Sequence, residues 1–127
     1  MLDEIKIFRT EIDSIIADIA QLKSKTLNDP DVEERIRQSF ITWSRLKARI
    51  ESTGVQPAKV TQVDNLLEIA ARNSGRRIQK AKFRDQLRKA NKILTVIYFA
   101  AVRVQEPLGV QRILAEIPAL PDDQNHA

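Results

Sequence analysis

Between Arg76 and Lys92 the chain reads RRIQKAKFRDQLRKANK, with eight Lys or Arg and a single acid, Asp85. Side chains of this type do one kind of chemistry well. They hold phosphate oxygens by charge and hydrogen bonding when a rigid element spaces them along a polyanion. Helical residues four apart lie almost above one another. Lys80, Arg84, Arg88 and Lys92 form such a row, and Arg77 leads into it. At 1.5 Å per residue the row would run about 22 Å. Lys82 and Lys89, seven residues apart, make a second line, while Arg72 and Arg76 stand at the preceding turn. Like charges at i and i+4 destabilise a helix by a few tenths of a kcal/mol each. A run that tolerates this with only one acid, Asp85, among eight cations points to an anionic partner.

The rest of the chain sharpens the contrast. The net charge is +4. Residues 1–71 carry ten basic and twelve acidic side chains, and residues 93–127 carry two and four. Residues 72–92 carry nine basic side chains and one acid, so the whole surplus sits in one segment. Three anionic partners fit: the backbone of DNA or RNA, an acidic protein surface, and a membrane surface. The membrane is the poorest match, because the apolar face beside the row is rich in Ala and has no interfacial Trp. Asp3, Glu4, Glu11 and Asp18, or the acids from Asp29 to Glu34, could instead pair with the row within the chain.

Other chemistry lacks its residues. There is no Cys, which excludes disulfides and thiolate metal sites. The one His, His126, lies in the tail and gives no base to a Ser or Cys nucleophile. The glycines at 54, 75 and 109 are isolated and form no phosphate loop. DPDVEERIRQSF imitates the start of a calcium loop, but Glu34 replaces the turn Gly and Phe40 the bidentate Glu. Its acids read as a helix cap. No Asp or Glu falls on a predicted apolar face, where burial would prepare it for acid–base work. The expectation is a protein that is not an enzyme, with no cofactor, metal or small-molecule substrate.

What positions the cations is helix throughout. The 127 residues suit one domain, and Gly is scarce. Ile5, Phe8, Ile12, Ile15, Ile19 and Leu22 repeat at 3-4 spacing and predict a helix over about 3–26, with a coiled-coil-like seam. Asp29 and Pro30 start a second, over about 30–53, which buries Val32, Ile36, Phe40, Trp43, Leu46 and Ile50. Thr61 and Asp64 look like a capping box for a third, over about 61–74, with Val63, Leu66, Leu67, Ala70 and Ala71 inside. Phe83, Leu87, Ala90, Leu94, Ile97, Ala101 and Val104 predict a fourth, over about 76–105, ended by Pro107. A short helix over about 108–117 follows. The fold class is all-α, an antiparallel bundle of four main helices, with a single domain over 1–118 and a tail over 119–127.

The fourth helix changes character along its length. From Ile93 onward Ile93, Val96, Phe99 and Ala100 add apolar faces beyond the seam. A helix apolar most of the way round must be surrounded, either centrally or by a second chain. These four residues are therefore the expected oligomer interface, in a homo-oligomer or a larger complex. Ala71 and Gly75 have a spacing found in helix-turn-helix proteins, but Arg76 and Ala81 stand where larger apolar residues are usual, so Gly75 reads as a helix cap. Stacking on single-stranded bases is poorly served, since Phe83 is the one aromatic among the basics and belongs to the seam.

The first residues, with Asp3 and Glu4, lack the apolar core of a secretory leader. The longest apolar run, Ile93 to Val102, is about half of the roughly 20 residues a membrane span needs. The expected place is the cytoplasm. The expected function is an accessory or assembly protein that binds nucleic-acid backbone through 76–92. The alternative is an oligomerising adaptor whose basic helix pairs with an acidic protein surface.

Overall fold

Spacings of three and four place apolar side chains on one face of a helix. In the computed structural model, which describes residues 1–105, that face of each helix turns inward. The elements are α1 (Leu2–Gln21), α2 (Pro30–Glu51), α3 (Pro57–Asn73) and α4 (Lys80–Gln105). Ile5, Phe8, Ile12, Ile15 and Ile19 of α1 are buried, as are Trp43 of α2, Leu67 of α3 and Leu87 and Leu94 of α4. Phe8 stacks on Trp43 with ring centroids 6.1 Å apart. The predicted helix over 108–117 and the tail lie outside the described residues.

Each helix packs on two neighbours, α1 on α2 and α4, and α3 on α2 and α4. Contacts fix the directions. Arg35 at the start of α2 meets Glu11 and Asp18, while Arg49 near its end meets Glu4. Arg37 of α2 reaches Ser74 beyond the end of α3. Lys80 at the start of α4 donates to the Leu22 carbonyl, and Asn91 bonds Asp13 at 2.7 Å. Consecutive helices therefore run opposite ways. No described helix is long and apolar enough to cross a membrane.

The ends of the helices differ from the sequence pattern where tertiary contacts intervene. α2 starts as expected, with Asp29 accepting from the backbone of Asp31 and Val32 at 3.0 and 3.1 Å. α1 ends at Gln21 rather than near Thr26. Its following residues peel away to form an antiparallel bridge, Thr26 with Gln79. α3 starts at Pro57, not at Thr61. Thr61 lies within the helix and donates to the Pro57 carbonyl, while Asp64 accepts from Trp43 Nε1 at 3.1 Å. α4 starts at Lys80 instead of Arg76 because Gly75 and Arg77 adopt left-handed φ values of +88° and +55°. The α4 seam is buried from Phe83 to Ala101, but Val104 is 51% exposed. Phe40, Leu66 and Ala71 are half-buried rather than central.

Candidate nucleic-acid interface

An α-helix turns about 100° per residue, so a row at i+4 advances by about 40° at each step. The row from Lys80 to Lys92 therefore winds round α4. At its start it faces α1. Lys80 is half-buried and caps the end of α1 through the Leu22 carbonyl. Arg84 is half-buried too, and its Nε is out of solvent with no hydrogen-bond partner among the described residues. At its end the row faces outward, with Arg88 and Lys92 exposed. The expectation of one continuous solvent-facing stripe is corrected by this drift, and its helical part spans about 18 Å rather than 22 Å.

The seven-residue line drifts far less. Lys82 and Lys89 are both exposed and, with Arg88 and Lys92, form the outward cationic face of α4. Arg76 and Arg77 are also exposed, in the loop before α4 rather than on the helix. Arg72 stands apart: it lies at the end of α3 and pairs with Glu68 at 2.6 Å. Asp85, exposed on α4, forms no ion pair with any of these cations.

Most of the carboxylates expected as internal partners are engaged elsewhere, while Asp3 and Asp31 are exposed and in no ion pair with these cations. Glu11 and Asp18 hold Arg35, with Glu11 Oε1 at 2.9 Å from its Nη2. Burial opposes the charge on Arg35, but the hydrogen bonds and charges of Glu11 and Asp18 outweigh it and raise its pKa. Glu4 holds Arg49, and Glu34 holds Arg37. Among the described residues, no carboxylate lies within ion-pair distance of Lys82, Arg88, Lys89 or Lys92.

Two kinds of residue escape the sequence pattern. Gln62 and Asn65 of α3 line an open hollow of about 440 Å³ with Leu66, Lys89, Lys92 and Ile93. Their amides place neutral hydrogen-bond donors beside two cations, which suits a phosphate oxygen. Nothing in the α3 pattern distinguishes them from ordinary surface residues. Glu33, which reads as a surface acid at the start of α2, is buried beside Gly75, against the expectation that no carboxylate is enclosed. Asn91, also buried, anchors α4 to Asp13 of α1.

Of the apolar residues expected at an oligomer interface, Ile93, Val96 and Phe99 are half-buried, while Ala100 is buried within the chain itself. Among the described residues, no group of carboxylates or His is placed to hold a metal ion. No protein-family model matches the sequence, and neither a curated protein nor a solved structure is significantly similar to it.

Proposed function

We propose that this chain is a non-enzymatic helical accessory or assembly protein that binds the backbone of nucleic acid through the basic half of α4. The supporting observation is the outward face of Lys82, Arg88, Lys89 and Lys92, exposed and without carboxylate partners among the described residues. Cations in that state release condensed counterions from phosphates, which drives binding with little regard to sequence. Half-exposed Ile93, Val96 and Phe99 further along the same helix would join a second copy or a larger complex.

The test is fluorescence anisotropy with a labelled DNA duplex and an RNA hairpin, at about 50 and 200 mM salt. Binding should weaken steeply with salt. An Arg88→Gln, Lys92→Gln variant should flatten the salt slope by about two units and bind roughly 50-fold more weakly near 0.1 M salt. Its melting temperature should hold or rise slightly, since like-charge repulsion is relieved. Unchanged affinity in a folded variant would sink the proposal.

A second reading is an oligomerising adaptor whose basic helix pairs with an acidic protein surface. It is favoured by the groove of about 600 Å³ between α1 and α2, where Ile7 is 69% exposed beside Phe8 and Leu46. That reading expects no binding to either nucleic acid at low salt, with self-association visible by light scattering at micromolar concentration.

A further inference from the structure

The helix row is not the only place where cations gather. We infer that the phosphate-binding surface continues round one end of the bundle, where Lys23 and Lys25 join Arg76 and Arg77, and that the whole surface takes a double-helical backbone. This inference rests on the nucleic-acid reading above.

The joining is done by backbone. The loop after α1 and the loop before α4 are far apart in sequence, yet Leu27 N–H donates to the Ile78 carbonyl and Lys80 N–H to the Lys25 carbonyl, both at 2.8 Å. With Thr26 opposite Gln79, these bonds make an isolated antiparallel bridge. Leu27 is fully buried beneath it, which fixes the bridge to the core. Beside this bridge Lys25 stands opposite Lys80, and Arg77 lies close by on the same loop. Like charges opposite each other destabilise such a pairing; Lys80 is accounted for by its bond to the Leu22 carbonyl, whereas the Lys25 side chain has no such partner among the described residues.

Arg77 adds an independent sign. It holds a left-handed φ of +55°, a conformation normally left to Gly or Asn, and it is exposed. Backbone strain of this kind gathers at binding sites. Lys23, Lys25 and Arg76 are exposed as well, and none of the four has an ion-pair partner among the described residues. The nearby acids at the start of α2 are largely occupied. Asp29 caps the helix, Glu33 is buried and Glu34 holds Arg37 and Gln38, which leaves Asp31 exposed.

The double helix follows from what the surface lacks and how it is shaped. Single-strand sites use exposed aromatic platforms between the cations. Here Phe83, the aromatic among these basics, is 1% exposed. What remains is two groups of cations, one along α4 and one in the two loops that the Thr26–Gln79 bridge holds together at the bundle end. Such an arrangement meets phosphates fixed in space, as on the strands flanking a groove, without touching bases.

The experiment uses the full chain, a labelled DNA duplex and a single strand of the same length, with anisotropy read across salt. The end variant combines Lys23→Gln, Lys25→Gln and Arg77→Asn. Asn tolerates the left-handed backbone, and the bridge uses only the backbone of Lys25, so circular dichroism should be unchanged. For this variant we expect the salt slope to flatten by two to three units, about 0.9 for each phosphate no longer neutralised. The duplex should bind tighter than the single strand. If the end variant keeps its full affinity and slope while Arg88→Gln, Lys92→Gln loses them, the end patch is wrong and the α4 site stands. Equal competition by the single strand overturns the double-helix assignment. Binding to the single strand but not to the duplex overturns this inference and leaves the nucleic-acid reading standing, whereas failure of the unaltered protein to bind the duplex, the single strand or an RNA hairpin overturns both.

Discussion

Arg35 and Arg49 of α2 and the four outward cations Lys82, Arg88, Lys89 and Lys92 of α4 have the same chemistry and opposite circumstances. Arg35 reaches across to α1 and is held by Glu11, Asp18 and the hydroxyl of Ser14. Arg49 is held by Glu4, and Lys47 and Trp43 of the same helix share Asp64 of α3. Lys82, Arg88, Lys89 and Lys92 have no such partners among the described residues. Among the described residues, Glu4, Glu11, Asp18, Glu34, Asp64 and Glu68 are spent on cations of α2 and α3 or on the N-terminus. Cations on one side lock helices together, and cations on the other are left to solvent. The difference separates charge that serves the fold from charge open to a ligand.

The widest break in that comparison should come at Trp43. It is fully buried, stacks on Phe8 and donates to Asp64. Trp43→Ala should lower stability by about 3–5 kcal/mol in a urea titration followed by circular dichroism. That is a large part of the roughly 5–15 kcal/mol a domain of this size possesses. The α4 cations are untouched, so whatever fraction stays folded should bind nucleic acid as before. A variant that melts normally would mean that the paired side does not carry the fold.

A smaller effect sharpens the same contrast. Arg35 is about one-third exposed, with 31% of its side-chain surface accessible, so its ion pairs are partly screened. Arg35→Gln should cost up to about 1 kcal/mol, toward the upper end for exposed pairs because two carboxylates share it. It should leave nucleic-acid affinity within about twofold after allowing for one lost positive charge at a distance. Arg88→Gln should do the reverse, weakening binding and sparing stability. If the two substitutions act alike, the division between the two sides is false.

Much of this division is legible in the residues, and the part that is not has a physical cause. The seams of α1 and α4 follow directly from 3-4 spacing, and the Asp29–Pro30 start of α2 is purely local chemistry. The basic segment is visible as composition alone. Its facing is not, because an i+4 row looks straight on paper and winds by about 40° per step on a real helix. Lys80 and Arg84 are consequently half-buried, Lys80 against the end of α1, while Lys82 and Lys89, secondary by spacing, stay outside. The early end of α1 has no local signal either. No Gly or Pro marks it, and the chain leaves the helix to pair Thr26 with Gln79 from a distant loop. Asp64 imitates a cap for a related reason: its partner, Trp43, lies on another helix.

The smallest expected effect concerns acid. The hydrogen bond from Arg49 holds the Glu4 carboxyl below the ordinary glutamate value of 4.5, helped by the charges of Arg49 and of the N-terminus. Hydrogen bonds from Gln38 and then Arg37 do the same for Glu34. A carboxylate whose pKa is lowered by folding stabilises the native state when ionised. That contribution is present above 4.5 and is lost as the pH falls through the lower, folded value. Both groups are exposed, so solvent screens the effect and the loss should be slight. Thermal melts by circular dichroism between about pH 6 and pH 3 should show the melting temperature declining only below the mid-fours. In a Glu4→Gln, Glu34→Gln variant that decline should be shallower, because two of the titrating groups are gone. An identical decline would assign the acid sensitivity to other carboxylates. Acid therefore tests the paired side of the molecule.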